Sequence, residues 1–295
     1  VIMWKPVRLQ GSGASTLINA VKAPGEKLTA WRNKVRSLVT SGAVDLLPAQ
    51  EVGFNLPEPV TLFTEEGAGI TVLAKNARPR QGGFGLDRNG KPNAGIDGFT
   101  ITGADNGGAI FVNGYADYLE ISNNRIFGNR GIYGGGVRIG HPYLVAENGP
   151  QGVAYQDGDN DGIWIHHNWI SENGATGGAG GGISLHHGTD DYRVTDNFVC
   201  GNFTQGDGGG IGHLGLVSDG DRDGYGGVIA RNRIIANHSF NQLTTVSGGG
   251  LFIGGSAPAQ GTGLTDGSGP VLVESNVIQG NFAGAGDGGG IRAAM

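Results

Sequence analysis

The stretch IWIHHNWISENGATGGAGGGISL (163–185) sets two short runs of alternating apolar residues around Asn168 and Asn173, then a glycine triplet and a third apolar run. Its first half recurs as LEISNNRIFGN (119–129), YRVTDNFVCGN (192–202), GVIARNRIIAN (227–237) and VLVESNVIQGN (271–281). Aligned on the first shared Asn, the copies place Asn124, Asn168, Asn197, Asn232 and Asn276 in one column, and Asn129, Asn173, Asn202, Asn237 and Asn281 in another. Ile121, Ile165, Val194, Ile229 and Val273 fill the position three before the anchor, and Ile126, Ile170, Val199, Ile234 and Ile278 the position two after it. The second half recurs as GGGVRI (134–139), GGGIGH (208–213), GGGLFI (248–253) and GGGIR (288–292), with GGAIFV (107–112) leading the series.

Period-two alternation of branched apolar residues predicts short strands with one buried face. The glycine triplets predict sharp bends, where positive φ or close backbone approach is required. The order strand, Asn turn, strand, Gly bend, strand and loop describes one coil of a solenoid whose side chains stack in columns from coil to coil. An inward Asn column then pairs amide to amide along the axis, as in other stacked sheets.

Composition agrees. Of the 60 glycines in 295 residues, 47 lie after position 100. They cluster rather than recur at every third residue, which excludes collagen. A hydrophobic share of 38% argues against simple disorder. A net charge of −6 argues against a nucleic-acid partner. No apolar run reaches the roughly 20 residues of a membrane span, and the single cysteine, Cys200, excludes an intrachain disulfide.

These motifs resemble right-handed parallel β-helix repeat proteins, the pectate-lyase-like superfamily. The resemblance is firm over 99–295 and weaker over 1–22 and 57–76. It implies an all-β solenoid, with one domain over 1–295: N-terminal coils in 1–98 and regular coils in 99–295. Within 1–98, Leu28, Trp31, Val35 and Leu38 follow helical spacing, predicting one short flanking α-helix over about 26–41. The opening on VIMWKPVRLQG and the close on GGGIRAAM suggest a piece of a longer chain. Its open ends would then be capped by further chain, by a partner, or by another copy stacked end to end.

Function is expected on the loops 113–118, 140–162, 186–191, 214–226 and 254–270. DGDNDG (157–162) and DGDRDG (219–224) place Asp157, Asp159, Asp161 and Asp219, Asp221, Asp223 around tight turns, a hard-oxygen pattern suited to Ca²⁺. No organic cofactor is expected. His141 and His187 occupy equivalent coil positions and suit a transition metal. Tyr143, Tyr155, Trp164 and Tyr225 offer flat rings for sugar recognition. His166 and His167 are assigned to the outward face and the turn.

For an enzyme, the resemblance to β-helix polyuronate lyases makes Arg138 and Arg193 the basic candidates. HGTDD (187–191) and IGHLG (211–215) are similar to motifs of β-helix polysaccharide hydrolases, which nominates Asp190, Asp191 and His213. The expectation is an extracellular or cell-surface β-helix with a structural, adhesive or assembly role that binds carbohydrate or a surface protein. The alternative is a Ca²⁺-dependent polysaccharide lyase or a polysaccharide hydrolase.

Overall fold

The computed structural model describes residues 1–22, 26–48, 50–53, 61–141, 158–186, 188–216, 226–255 and 268–294. Its strands form four sheets in which every pairing between named strands is parallel. Sheet 1 has eight strands, from Ile2–Met3 to Ile291–Ala293; sheet 2 has seven, from Arg8–Gln10 to Val271–Glu274. Sheet 3 has seven, from Leu17–Asn19 to Val277–Gln279, and sheet 4 has five, from Arg130–Tyr133 to Phe282–Ala283. One coil visits sheets 2, 3, 4 and 1 in turn, as in Trp164–His166, Trp169–Ser171, Gly174–Gly177 and Ile183–Leu185.

Register follows the sequence columns. Ile165 pairs with Ile121 and Val194, Ile170 with Ile126 and Val199, and Ile183 with Val137 and Ile211. These side chains are 0–1% exposed and form one continuous core. Each buried side chain of this size stabilises the fold by about 1.5–3 kcal/mol.

The Asn columns form two internal ladders. Asn168 Nδ2 donates to Asn197 Oδ1 at 3.0 Å and to Ile121 O at 2.8 Å, while the Asn168 backbone N–H donates to the same Oδ1 at 3.0 Å. The second ladder repeats this at Asn129, Asn173, Asn202, Asn237 and Asn281. Each amide thus satisfies turn backbone that the sheets leave unpaired.

In the triplet 208–210, Gly208 has φ +67°, the left-handed region that costs other residues roughly 1–2 kcal/mol. At Gly209 a Cβ would overlap the backbone of His238 and of Gly249. Adjacent coils approach too closely at that bend for any side chain.

The flanking helix spans Thr29–Thr40, preceded by a 3₁₀ turn at Glu26–Leu28. Val35 and Leu38 are buried against Leu62, Phe63, Leu73 and Phe111, so the insertion covers the outer face of sheet 1. Arg32 joins Glu66 through two hydrogen bonds of 2.6 and 2.7 Å. The coil formed by Gly95–Asp97, Thr100–Thr102 and Ile110–Val112 spans position 98/99 and stacks directly on the repeats that follow. Among the described residues no helix is long and apolar enough to cross a membrane.

Candidate functional site

Alternation along each strand decides which candidate side chains reach solvent. Arg138 lies on the outer face of sheet 1 between Phe111 and Ser184, yet it is 0% exposed. Its Nε donates to Gly140 O at 3.0 Å and its Nη2 to His141 Nδ1 at 3.1 Å, and the guanidinium stacks over Phe111 and Tyr133. His141 Nε2 donates to Asn113 Oδ1 at 2.7 Å, which assigns its tautomer and engages both ring nitrogens. Asn113 and Gln50 exchange amide hydrogen bonds of 2.9 and 3.0 Å. This network ties the N-terminal insertion to the third and fourth strands of sheet 1, Ile110–Val112 and Val137–Ile139.

His213 points inward. It is in register with Leu185 and Ile253, accepts the Tyr192 hydroxyl at Nδ1 (3.0 Å) and donates from Nε2 to Ser268 O (2.8 Å). Burial pushes its pKa down to about 4 and that of the Tyr192 phenol well up. Asp190, 2% exposed, is linked to Asp161 and on to Asp117 by backbone N–H to carboxylate bonds of 3.0 and 3.3 Å. Asp191 is exposed, with φ +49°. Partial burial raises its pKa, and Arg193 opposes that shift. Asp159 is half-buried, with φ +44°. Tyr143, Tyr155, Asp157, His187, Asp219, Asp221, Asp223 and Tyr225 lie outside the described residues.

The outer face of sheet 2 sets Arg193 and His166 beside titratable groups that the sequence analysis did not single out, Arg8, Asp97 and Glu120. One row runs Arg8, Gly95, Glu120, Trp164, Arg193; the next runs Gln10, Asp97, Ser122, His166, Thr195. Glu120 accepts from Arg8 at 2.6 Å and from His166 Nε2 at 3.0 Å. Burial alone would raise its pKa, but these bonds outweigh that and hold it below the usual carboxylate range. His166 Nδ1 stands 2.9 Å from His167 Nδ1. Burial lowers the His166 pKa against the opposing pull of Glu120.

The Trp164 indole stacks on His166 at 4.0 Å between centroids, donates from Nε1 to Thr195 Oγ1 at 3.0 Å, and carries the Arg193 guanidinium over its ring at 4.7 Å. Trp164 and Arg193, expected at a ligand or catalytic face, therefore share one surface. Arg138, Asp190 and His213 do not join it.

At the turn between sheets 2 and 3, Asn123, His167, Asp196, Arg231 and Ser275 all hold φ between +54° and +59°. Five consecutive coils thus place a side chain where glycine is the unstrained choice. Arg231 forms a bidentate pair with Asp196 at 2.9 and 2.8 Å, which holds the Asp196 pKa low.

Sheet 3 presents a third surface. Arg125, Trp169, Phe198 and Arg233 are in register, and the Trp169 and Phe198 rings lie 4.3 Å apart at 36°. Trp169 is 51% exposed, with Nε1 donating to Ser171 Oγ at 3.1 Å. The next row, Phe127, Ser171, Cys200, Ile235 and Gln279, also lacks a carboxylate. Among the described residues no group of three or more His, Cys, Asp or Glu side chains is placed to hold a metal ion.

The stacked all-parallel sheets and the column register define a parallel β-helix repeat protein. Residues 65–199 match the family model described as the right-handed β-helix region. No curated protein and no solved structure gives a match. The fold is thereby assigned, and function is argued from the chemistry of the surface rather than from the fold.

Proposed function

We propose that this β-helix is an extracellular or cell-surface binding scaffold that engages a polysaccharide on its exposed sheet faces without cleaving it. The observation that carries the reading is the Trp169–Phe198 platform, 51% exposed at Trp169 and in register between Arg125 and Arg233. Flat rings fixed by backbone stacking and an indole hydrogen bond lose little conformational entropy on binding. Parallel strands lie about 4.8 Å apart, close to the length of one pyranose ring, so a glycan lying along the axis presents one ring per coil. The flanking arginines and the carboxylate-free rows favour an acidic polymer. A binding role is also favoured over catalysis by the burial of Arg138, Asp190 and His213, each at most 2% exposed. Ca²⁺ in the Asp157–Asp161 and Asp219–Asp223 loops is proposed as a structural companion of this role.

The test is a panel of acidic and neutral polysaccharides with and without Ca²⁺. Retention in affinity electrophoresis is measured alongside unsaturated products and new reducing ends. Retention without products is expected, with Trp169→Ala weakening it at least tenfold at unchanged melting temperature. No retention by any polymer would sink the binding role. Product formation would establish instead the lyase or hydrolase alternative, with Asp191 and Arg193 the accessible candidates.

A further inference from the structure

His166, on the outer face of sheet 2, and His167, at the turn that follows, lie off the sheet-3 row that holds Trp169 and Phe198. Their two Nδ1 atoms converge to 2.9 Å, and the rings are nearly perpendicular, at 88°. Imidazole–metal bonds of about 2.0–2.1 Å at a right angle put two nitrogens roughly 2.9 Å apart, whereas a tetrahedral angle needs roughly 3.3 Å. The separation is that of an N–H···N hydrogen bond and equally fits adjacent positions of a square-planar or tetragonal ion, so such an ion can take the place of the bridging proton.

The tautomer is set for that use. Glu120 is ionised and only accepts, so His166 Nε2 carries the proton that bridges to it at 3.0 Å. This leaves the lone pair of His166 on Nδ1, facing His167. Arg8 holds Glu120 from the other side at 2.6 Å, and Trp164 packs on the His166 ring at 4.0 Å. A carboxylate that fixes the far nitrogen of a histidine is the usual support of a metal-binding imidazole. His167 is exposed and held at φ +54°, a strained backbone at a solvent-facing turn. Asp196, on the next coil at the same turn position, interacts with His167 and is itself ion-paired with Arg231.

We propose that His166 and His167 form a two-imidazole site for a divalent ion of the Cu(II) or Ni(II) type, oriented by Glu120. In the metal-free state one proton bridges the two Nδ1 atoms, donated by His167. On binding, that proton leaves the His167 Nδ1 and its Nε2 takes up a proton from solvent, so both Nδ1 lone pairs meet the ion with no net release. With two protein ligands, the remaining positions belong to water or to donor atoms of a ligand.

The stacked coils supply substitutions that their own neighbours already carry. His167→Asn copies Asn123, and His166→Thr copies Thr195, which is in register with it. Tag-free wild-type protein, both variants and Glu120→Gln are titrated calorimetrically with Cu(II) and with Ni(II) at pH 7.5, and the Cu(II) form is examined by electron paramagnetic resonance. Metal-free melting curves confirm that each variant is folded. A 1:1 site with coupling to two nitrogens is expected, weakened at least 100-fold in either histidine variant and about 10–100-fold in Glu120→Gln. Absence of a 1:1 site, or its retention in either histidine variant, would overturn the proposal. An unchanged affinity in Glu120→Gln would overturn the orienting role of the carboxylate.

Discussion

Asn197→Ala removes one rung from the middle of an amide ladder. Asn197 is 2% exposed. Its Oδ1 accepts from the backbone N–H and Nδ2 of Asn168, both at 3.0 Å, and its Nδ2 donates to Ile165 O, Thr195 O and Asn232 Oδ1 at 2.9–3.0 Å. After truncation Asn168 Nδ2 keeps Ile121 O and His166 O, and Asn232 Oδ1 keeps the backbone N–H of residue 197. The Asn168 backbone N–H loses its acceptor. One buried group left unsatisfied costs about 1–3 kcal/mol, and each weakened bond about 0.5–1.5 kcal/mol, so the loss should reach roughly 3–5 kcal/mol. Asn276 makes the corresponding bonds to Asn232 but is only half-buried, so water replaces it and Asn276→Ala should cost about 1 kcal/mol. Urea unfolding followed by circular dichroism measures both, read as a midpoint shift at unchanged slope. A cost below about 1 kcal/mol at Asn197, or equal costs at the two sites, would refute the ladder as a cooperative source of stability.

The pH dependence should carry the signature of His213. Its folded pKa, about 4, lies below the unfolded value near 6.5, so the unfolded chain binds more protons between these limits and stability falls as pH drops through that window. The full effect is about 3 kcal/mol, and His213→Leu, copying Leu185 at the same register, should flatten unfolding curves measured from pH 7 to pH 4. Gly209→Ala should lower the melting temperature sharply or prevent folding, because the added methyl meets backbone of two other coils. Gly201→Ala, with φ +64° and open space around it, should cost only about 1–2 kcal/mol, and equal shifts in the two variants would contradict the close-approach argument.

Much of the architecture was legible because a coil is a local unit repeated in register. Columns such as Ile121–Ile165–Val194 become contacts once parallel stacking is granted, and the Asn spacing marks the turns. The inward direction of His213 was also written in the sequence. Counted from the triplet's last glycine it is third, like the apolar Leu185 and Ile139, although its chemistry drew attention outward. The helix was visible in Leu28, Val35 and Leu38, but not the face it covers, since that depends on where a 50-residue insertion folds back.

The sequence by itself therefore determined the coil, its columns and its bends, because period-two patterning and glycine stereochemistry act within a few residues. Only the tertiary structure decided which polar groups meet. Glu120 and His166 are 46 positions apart and sit on different rows of sheet 2, so their bond depends on rotamer and reach rather than on register. Arg138 is likewise an outward residue by alternation and a buried one in fact, because the protein folds over that face of sheet 1.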